Sequence, residues 1–217
     1  MSGLYGKTHR DFQDRHATRR LADRLEEMSH ETFDEADRAF IESAAMFFLS
    51  TVDERGRPTV SYKGGAPGFV KIFGPADLVF PVYDGNGMFL SLGNIAANPQ
   101  VGLLFIDFEH PRRLRVQGAA RIFREAEWLA AYPGATYVVG VQAERIFVNC
   151  GRYIHKADGT TLSRHVPDAS GGQPFPTWKR IEIFGDCLSG AENDALRRAG
   201  GPIAFDAYRG EDDAPSS

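Results

Sequence analysis

The sequence predicts a mainly β fold, an antiparallel barrel or sandwich with helices at its periphery. Between residues 46 and 150, short apolar runs alternate with turn residues, a pattern typical of antiparallel sheets. The chain has 217 residues, 42% of them hydrophobic and 25% charged, which is enough material for one elaborated domain with its own core. Its longest apolar stretch, residues 44–49, is far shorter than the roughly 20 residues of a membrane-spanning helix. We therefore expect no membrane partner.

Two helices are predicted before the sheet. In residues 11–28 the apolar side chains of Phe12, Leu21, Leu25 and Met28 recur at helical spacing among charged residues, which indicates an amphipathic surface helix. Thr32 and Glu35 have the spacing of a capping box, and this predicts a second, short helix that begins near Thr32.

Strands and one short helix fill the middle of the chain. Helical spacing of Phe89, Leu92 and Ile95 predicts a helix over residues 88–97, which ends at the Asn98-Pro99 pair because the residue before a proline disfavours helical geometry. The apolar runs predict seven strands, over residues 46–52, 58–63, 69–73, 78–82, 101–107, 113–123 and 137–149.

The composition changes after Cys150 to glycine, proline and polar residues. One further helix is predicted over residues 191–198, and residues 211–217 are expected to be disordered because they contain nothing to bury. The sequence thus divides into an N-terminal helical arm (residues 1–32), a β domain (33–156) and a C-terminal extension (157–217).

Several classes of function are excluded by inspection. The formal charge of −4 argues against a nucleic-acid partner, whose phosphates require an excess of cations. There is no phosphate-binding loop and no nucleophile elbow around Ser91, and the Gly85-Asn86-Gly87 run lacks the third glycine of a dinucleotide fingerprint. Two cysteines and scattered histidines predict no metal site. Without a secretory signal, a cytoplasmic location is expected.

A candidate anion site lies where residues 83–88 lead into the short helix. Ser91 and Asn94 share one face of that helix, and the glycine-flanked turn before it can expose successive backbone N–H groups beside the positive end of the helix dipole. A phosphate would fit there. The alternative is that the glycines only form a tight turn while Ser91 and Asn94 cap or solvate the helix.

Two strands carry alternating polar residues that could also contact a ligand. Arg113 and Arg115 share one face of their strand, and Ser61 and Lys63 share one face of theirs. Either face could hold an anion, although solvated sheet faces are the common alternative. Trp178, which is followed by two cations, could stack on a planar ligand or pack at the surface.

Taken in order, the motifs of residues 33–156 resemble those of the pyridoxamine 5′-phosphate oxidase-like, FMN-binding split-barrel family. The resemblance is carried by four pieces: FFLSTVDERGRPTVSYKGGAPGFVKI (residues 47–72), LVFPVYDGNGMFLSLGNIAANPQVGLLF (78–105), LRVQGAARI (114–122) and ERIFVNCGRYIHK (144–156). It implies a six-stranded Greek-key split barrel, a homodimer, and FMN bound where the two subunits meet.

The resemblance also implies roles for particular residues. Flavin contacts are expected at Ser61, Tyr62 and Lys63, phosphate contacts at Asn86, Ser91 and Asn94, and contacts near the isoalloxazine at Arg113 and Arg115. Trp178 is a further predicted cofactor contact on its own chemistry, as an aromatic ring followed by two cations. A cation near the flavin N1 and C2 carbonyl favours the anionic reduced form and raises the reduction potential.

This sequence departs from the family at three places. Leu90 and Ser91 stand where pyridoxamine-phosphate oxidases have an Arg-Lys pair, and Met88 stands where related proteins often have arginine. The Arg-x-His of the substrate site also has no counterpart after Trp178. The resemblance therefore does not predict vitamin B6 synthesis.

Three functional hypotheses follow. The first is an oxidoreductase in which FMN transfers hydride or electrons to or from a small molecule, with no catalytic side chain required. The second is a binding or sensing protein for a flavin, a deazaflavin or haem, in which His155 or His165 would ligate the haem iron. The third is a scaffold that has lost its cofactor.

Overall fold

The computed structural model describes residues 3–155, 157, 163–166 and 172–208. The residues form two compact units. The first, called here the β unit, contains His30–Ile106 and Arg113–Asn149; the second, called the terminal unit, contains the chain up to Ser29, Asp107–Arg112, and the chain from Cys150 onward. The expected disorder of residues 211–217 lies outside the described residues.

One antiparallel sheet dominates the structure, as the sequence predicts. Its strand order is β2-β1-β5-β6-β7-β4-β3. The strands are β1 (Met46–Val52), β2 (Pro58–Gly64), β3 (Lys71–Ile72), β4 (Asp77–Tyr83), β5 (Gln100–Asp107), β6 (Arg112–Phe123) and β7 (Ala135–Asn149). All seven strands predicted from the apolar runs are present, and the mainly β class with peripheral helices is confirmed. The resemblance implied six strands, and the described residues contain seven.

β3 is much shorter than the predicted strand over residues 69–73. The Phe69 amide donates to the Ala66 carbonyl at 2.9 Å, so a turn occupies the start of that segment. Gly68 sits in this turn with φ +84°, a left-handed geometry that glycine adopts without strain. The Phe73 amide donates to the Asp77 carbonyl and closes the hairpin to β4, which leaves two residues in the ladder.

The core of the β unit is built around Phe47 on β1. Its ring is fully buried, and the ring centroid lies 5.0 to 5.9 Å from the ring centroids of Phe69, Phe80 and Phe105. Strand alternation puts Phe47, Leu49 and Thr51 on the same buried face of β1. This central strand pairs with β2 on one side and β5 on the other.

The helices partly correct the sequence prediction. Two helices, α1 (Lys7–Arg15) and α2 (Arg19–Glu27), replace the single helix expected over residues 11–28. Ala17 lies between them with φ +52°, a left-handed backbone conformation that interrupts the helix. α3 (Glu35–Ser43) is capped by Asp34, whose carboxylate accepts the Asp37 amide, and not by Thr32.

Among the remaining helices, one was not predicted. α4 (Leu90–Ala97) begins two residues later than expected. α5 (Ala126–Ala130) was missed, and α6 (Gly190–Arg198) confirms the predicted C-terminal helix. In its described part, the terminal unit also contains three 3₁₀ segments: Thr177–Arg180, Glu182–Cys187 and Phe205–Ala207.

The β-bulge at Gly118 requires a residue without a side chain, and this requirement can be tested. The register between β6 and β7 shifts between Gln117 and Gly118, and a Cβ added at Gly118 would lie 2.1 Å from the Gln142 carbonyl oxygen. We expect Gly118→Ala to lower the free energy of unfolding by about 1–3 kcal/mol through overpacking against rigid backbone. Urea denaturation measures this change.

Gly93→Ala is the matched control. Gly93 lies inside α4, and no atom lies within 4 Å of an added Cβ. Alanine there should raise stability by roughly 0.5–1 kcal/mol, because it loses less conformational entropy in a helix than glycine does. Equal effects of the two substitutions would contradict the steric explanation for Gly118.

Candidate functional site

A cavity of about 360 Å³ opens in the β unit between the ends of β2 and β4 and the start of α4. This volume lies within the usual range for small-molecule sites, roughly 300–1,000 Å³. Its lining combines polar and apolar side chains: Leu49, Ser61, Tyr62, Lys63, Phe80, Val82, Tyr83, Asp84, Gly85, Asn86, Gly87, Met88, Phe89, Leu90, Ser91, Leu92, Ile95, Thr136 and Val139. Five of the residues predicted to contact a cofactor are among them.

The register of β2 on β1 explains how Ser61 and Lys63 reach the cavity. Lys63 pairs with Phe47 and Ser61 pairs with Leu49. Cross-strand partners project to the same face of a sheet, so both polar side chains lie on the face that β1 buries. Ser61 Oγ is 3.0 Å from Ser91 Oγ on α4, within hydrogen-bond distance, and either hydroxyl can donate.

Lys63 is the one cationic side chain in the cavity lining. It is half-buried, and burial lowers the pKa of its ammonium group from the ordinary value of 10.5. Across the part of the chain that the structure describes, no carboxylate lies within ion-pair distance of this ammonium. A partly dehydrated cation without a neighbouring anion is electrostatically unfavourable. The site is therefore complementary to an anionic ligand.

The N-terminus of α4 adds a second source of positive potential. The first hydrogen bond inside the helix runs from the Gly93 amide to the Phe89 carbonyl at 2.8 Å. The amides before Gly93 therefore have no acceptor within the helix, and the helix dipole makes this end favourable for an anion. Ser91 lies in this first turn, next to Ser61.

Asn86 is engaged within its own turn. Its Oδ1 accepts the Met88 amide at 3.1 Å, and its Nδ2 lies 3.4 Å from the Met88 sulfur. Gly87, between them, has φ +73°. These contacts shape the loop that leads into α4, and the predicted phosphate contact of Asn86 remains a prediction.

The structure does not place the other predicted residues in the cavity lining. Asn94 is buried, and its amide donates to Thr51 Oγ1 at 3.0 Å. Arg113 and Arg115 lie on β6, opposite Asn149 and Phe147 of β7.

Trp178, in the terminal unit, packs edge-on against Phe184 with ring centroids 5.1 Å apart. Its predicted contact with a planar ligand stays a prediction, as do the flavin contacts of Arg113 and Arg115.

The histidines considered as haem ligands both belong to the terminal unit. His165 is fully buried, whereas His155 is exposed and its Nδ1 accepts the Ser163 amide at 3.1 Å. Haem ligation by His155 or His165 therefore stays a prediction.

A separate cluster joins His30, Asp34 and Asp37 at the start of α3. Their ligand-type atoms lie within 4.8 Å of one another. Asp34 and Asp37 form the helix cap, and His30 Nε2 lies 2.6 Å from Asp37 Oδ2. Helix capping and this pairing thus give all three side chains a role in the local structure.

Sequence reasoning missed the part of the cavity lining that comes from β4 and β7. Tyr83 belongs to the run over residues 83–88 that the sequence analysis singled out, although no ligand contact was predicted for it. Thr136 and Val139 lie more than 40 residues further along the chain, and the β4–β7 pairing brings them to the cavity. Nothing in their local sequence marks them.

Within the described residues, the structure contains no helix of the length and hydropathy needed to cross a membrane.

Comparison with solved structures finds similar folds. HupZ from Group A Streptococcus is 20% identical, with a TM-score of 0.44 over 54% of this chain and 93% of that one. An F420 reductase is 21% identical, with a TM-score of 0.40 over 52% and 98%. HutZ from Vibrio cholerae, a haem storage protein, is 18% identical, with a TM-score of 0.40 over 54% and 94%.

Among curated proteins, no sequence matches this chain. The family model for pyridoxamine 5′-phosphate oxidase matches residues 33–148, which is more than half of the chain and contains six of the seven strands entirely and nearly all of β7. The chain belongs to the pyridoxamine 5′-phosphate oxidase family.

Proposed function

We propose that the chain binds FMN in the cavity of the β unit and uses it for oxidation–reduction of a small molecule. The observation that carries the proposal is the half-buried ammonium of Lys63, which has no carboxylate of the described residues within ion-pair distance and lies in the same cavity as the Ser61–Ser91 hydroxyl pair. Membership of the pyridoxamine 5′-phosphate oxidase family supports the same ligand.

The residues present fit the phosphate of FMN. Lys63 supplies a cation, Ser61 and Ser91 supply two hydroxyl donors, and the first turn of α4 supplies backbone N–H groups. Phosphate binding at a helix N-terminus needs few cations, since the helix dipole and the amides share the charge. This donor set compensates for the absence of an arginine at Met88 and Leu90.

FMN, when bound, supplies hydride or electron transfer. The chain's own residues hold the phosphate through Lys63, Ser61 and Ser91, and the apolar side chains of Phe80 and Leu92 exclude water from the inner wall of the cavity. No side chain is required as a nucleophile, in agreement with the lack of any catalytic motif in the sequence.

A visible absorption spectrum after addition of FMN and desalting tests binding, and reduction followed by mixing with electron acceptors tests turnover. Retained flavin that exchanges electrons supports an oxidoreductase. Retained flavin that never does so at a useful rate would leave a binding or sensing protein, and a colourless protein would overturn the proposal.

We further propose that the chain forms a homodimer through the outer face of β1 and β2. β2 is an edge strand, and its apolar residues Val60 and Tyr62 point away from the core while Ser61 and Lys63 point inward. The ring of Tyr62 lies edge-on to that of Phe48 on β1, 6.1 Å away. An antiparallel sheet usually exposes its polar face; a second copy covering this apolar face would lie beside the cofactor cavity.

Removal of the Lys63 charge should weaken FMN binding selectively. Because a hydrogen bond to a charged group contributes about 1.5–3 kcal/mol, we expect Lys63→Met to raise the dissociation constant roughly 10- to 100-fold. Riboflavin, which lacks the phosphate, should bind both proteins equally. Fluorescence titration with the two flavins measures this, with Lys71→Met as the control; an equal loss for riboflavin would contradict the assignment of Lys63 to the phosphate.

The same substitution should stabilise the cofactor-free protein. Since burial lowers the pKa of Lys63 in the folded state, the unfolded chain binds more protons between the folded and unfolded pKa values, and wild-type stability rises with pH in that window. The advantage of Lys63→Met in melting temperature should be largest below the folded pKa and shrink toward pH 10.5. Lys7→Met, at an exposed site, should show no such trend; a constant difference across pH would show that charge burial is not the cause.

Disruption of the proposed dimer should depend on which valine is changed. Val60 and Val148 are 65% and 69% exposed, so a lysine at either has similar access to water in the monomer. We expect Val60→Lys to convert a dimer to a monomer, because a charge would be buried at the interface, while Val148→Lys leaves the dimer intact. Sedimentation equilibrium distinguishes these results. A monomeric wild-type protein, or equal behaviour of both variants, would count against this surface.

A further inference from the structure

The opening of the cavity is lined by large apolar side chains that are exposed to solvent. Met88, Phe89 and Leu90 are 66%, 57% and 46% exposed, and Tyr83 lies beside them at the end of β4. We call these four residues the apolar rim. Contiguous exposed apolar surface at a cavity is characteristic of a ligand-binding site.

The apolar rim is held in a strained conformation. Phe89 has φ +49° and ψ +27°, a left-handed geometry that is rare for a bulky residue. Its ring packs edge-on against Tyr137, with centroids 6.3 Å apart, and Asn86 fixes the neighbouring Met88 through its amide. Strain of this kind persists where the surrounding structure enforces it, and it clusters at ligand sites.

The charges of the cavity lining limit what can bind beside FMN. Lys63 is the cationic side chain of the lining and Asp84 is the acidic one. With the FMN phosphate on Lys63, no cation that this chain contributes to the lining remains for a second phosphate, and Asp84 would repel it. The remaining surface for a substrate is the apolar rim.

We propose that the apolar rim selects an uncharged substrate with an apolar ring and rejects phosphorylated substrates. This inference rests on the proposed binding of FMN. An uncharged ring would bury the exposed surface of Met88, Phe89 and Leu90, which contributes roughly 25 cal/mol per Å² of apolar area. A phosphate ester at the same place would lose hydration without gaining a counter-ion.

Equilibrium dialysis against the FMN-loaded protein tests the inference, with menadione as the uncharged ring compound and pyridoxamine 5′-phosphate as the phosphorylated one. We expect menadione to bind at least 10-fold more tightly. Met88→Arg should weaken menadione binding several-fold and strengthen pyridoxamine 5′-phosphate binding, because it places a cation in the apolar rim. Val148→Arg, an equally exposed position outside the cavity lining, should change neither.

Each other outcome has a definite meaning. Equal or tighter binding of pyridoxamine 5′-phosphate by the wild-type protein, or menadione binding that Met88→Arg leaves unchanged, overturns the inference while the FMN proposal stands. Failure of the protein to retain FMN, measured first from its visible absorbance, overturns both, because the charge argument requires a bound phosphate.

Discussion

The pairing of β2 with β1 is the constraint on which the candidate site depends. Its register sets Lys63 opposite Phe47 and Ser61 opposite Leu49. Because side chains alternate across a strand, a slip of one residue would turn both polar groups outward and bring Val60 and Tyr62 into the core face. The same alternation that builds the cavity therefore produces the apolar outer surface of the edge strand.

The site is built at the expense of electrostatic stability. β1 contributes fully buried apolar residues to the inner face, and Lys63 lies on that face with no carboxylate within ion-pair distance in the described part of the chain. A residue that a fold tolerates at such a cost is typical of a binding site, where the ligand supplies the missing charge.

The proposed flavin site and the proposed substrate site lie in different parts of one cavity. The polar end contains Ser61, Lys63 and Ser91, and the opening contains the apolar rim. Met88 and Leu90, which replace the cations expected from the resemblance, belong to that rim. Two of the departures from the family pattern thus lie at the proposed substrate end, whereas Ser91, which stands in place of a lysine, lies at the polar end beside Ser61.

The sequence by itself determined the elements, because hydrophobic periodicity and turn residues are local properties. All seven strands, α4 and α6 could be read in this way, and the grouping of Ser61, Lys63 and Ser91 as ligand contacts came from alternation on β2 and the turn before α4, together with the family resemblance. Local patterns mispredicted helix boundaries where one residue with positive φ ends or precedes a helix, as Ala17 does between α1 and α2 and Phe89 does before α4.

Only the tertiary structure decided which strand ends meet. The contributions of Thr136 and Val139 to the cavity depend on the β4–β7 ladder, and the inward position of Asn94 depends on its hydrogen bond to Thr51, which is 43 residues away. The exposure of Met88 and Phe89 likewise follows from where α4 begins. Long-range pairing and burial are set by the packing of the whole sheet, and no segment of the sequence carries that information alone.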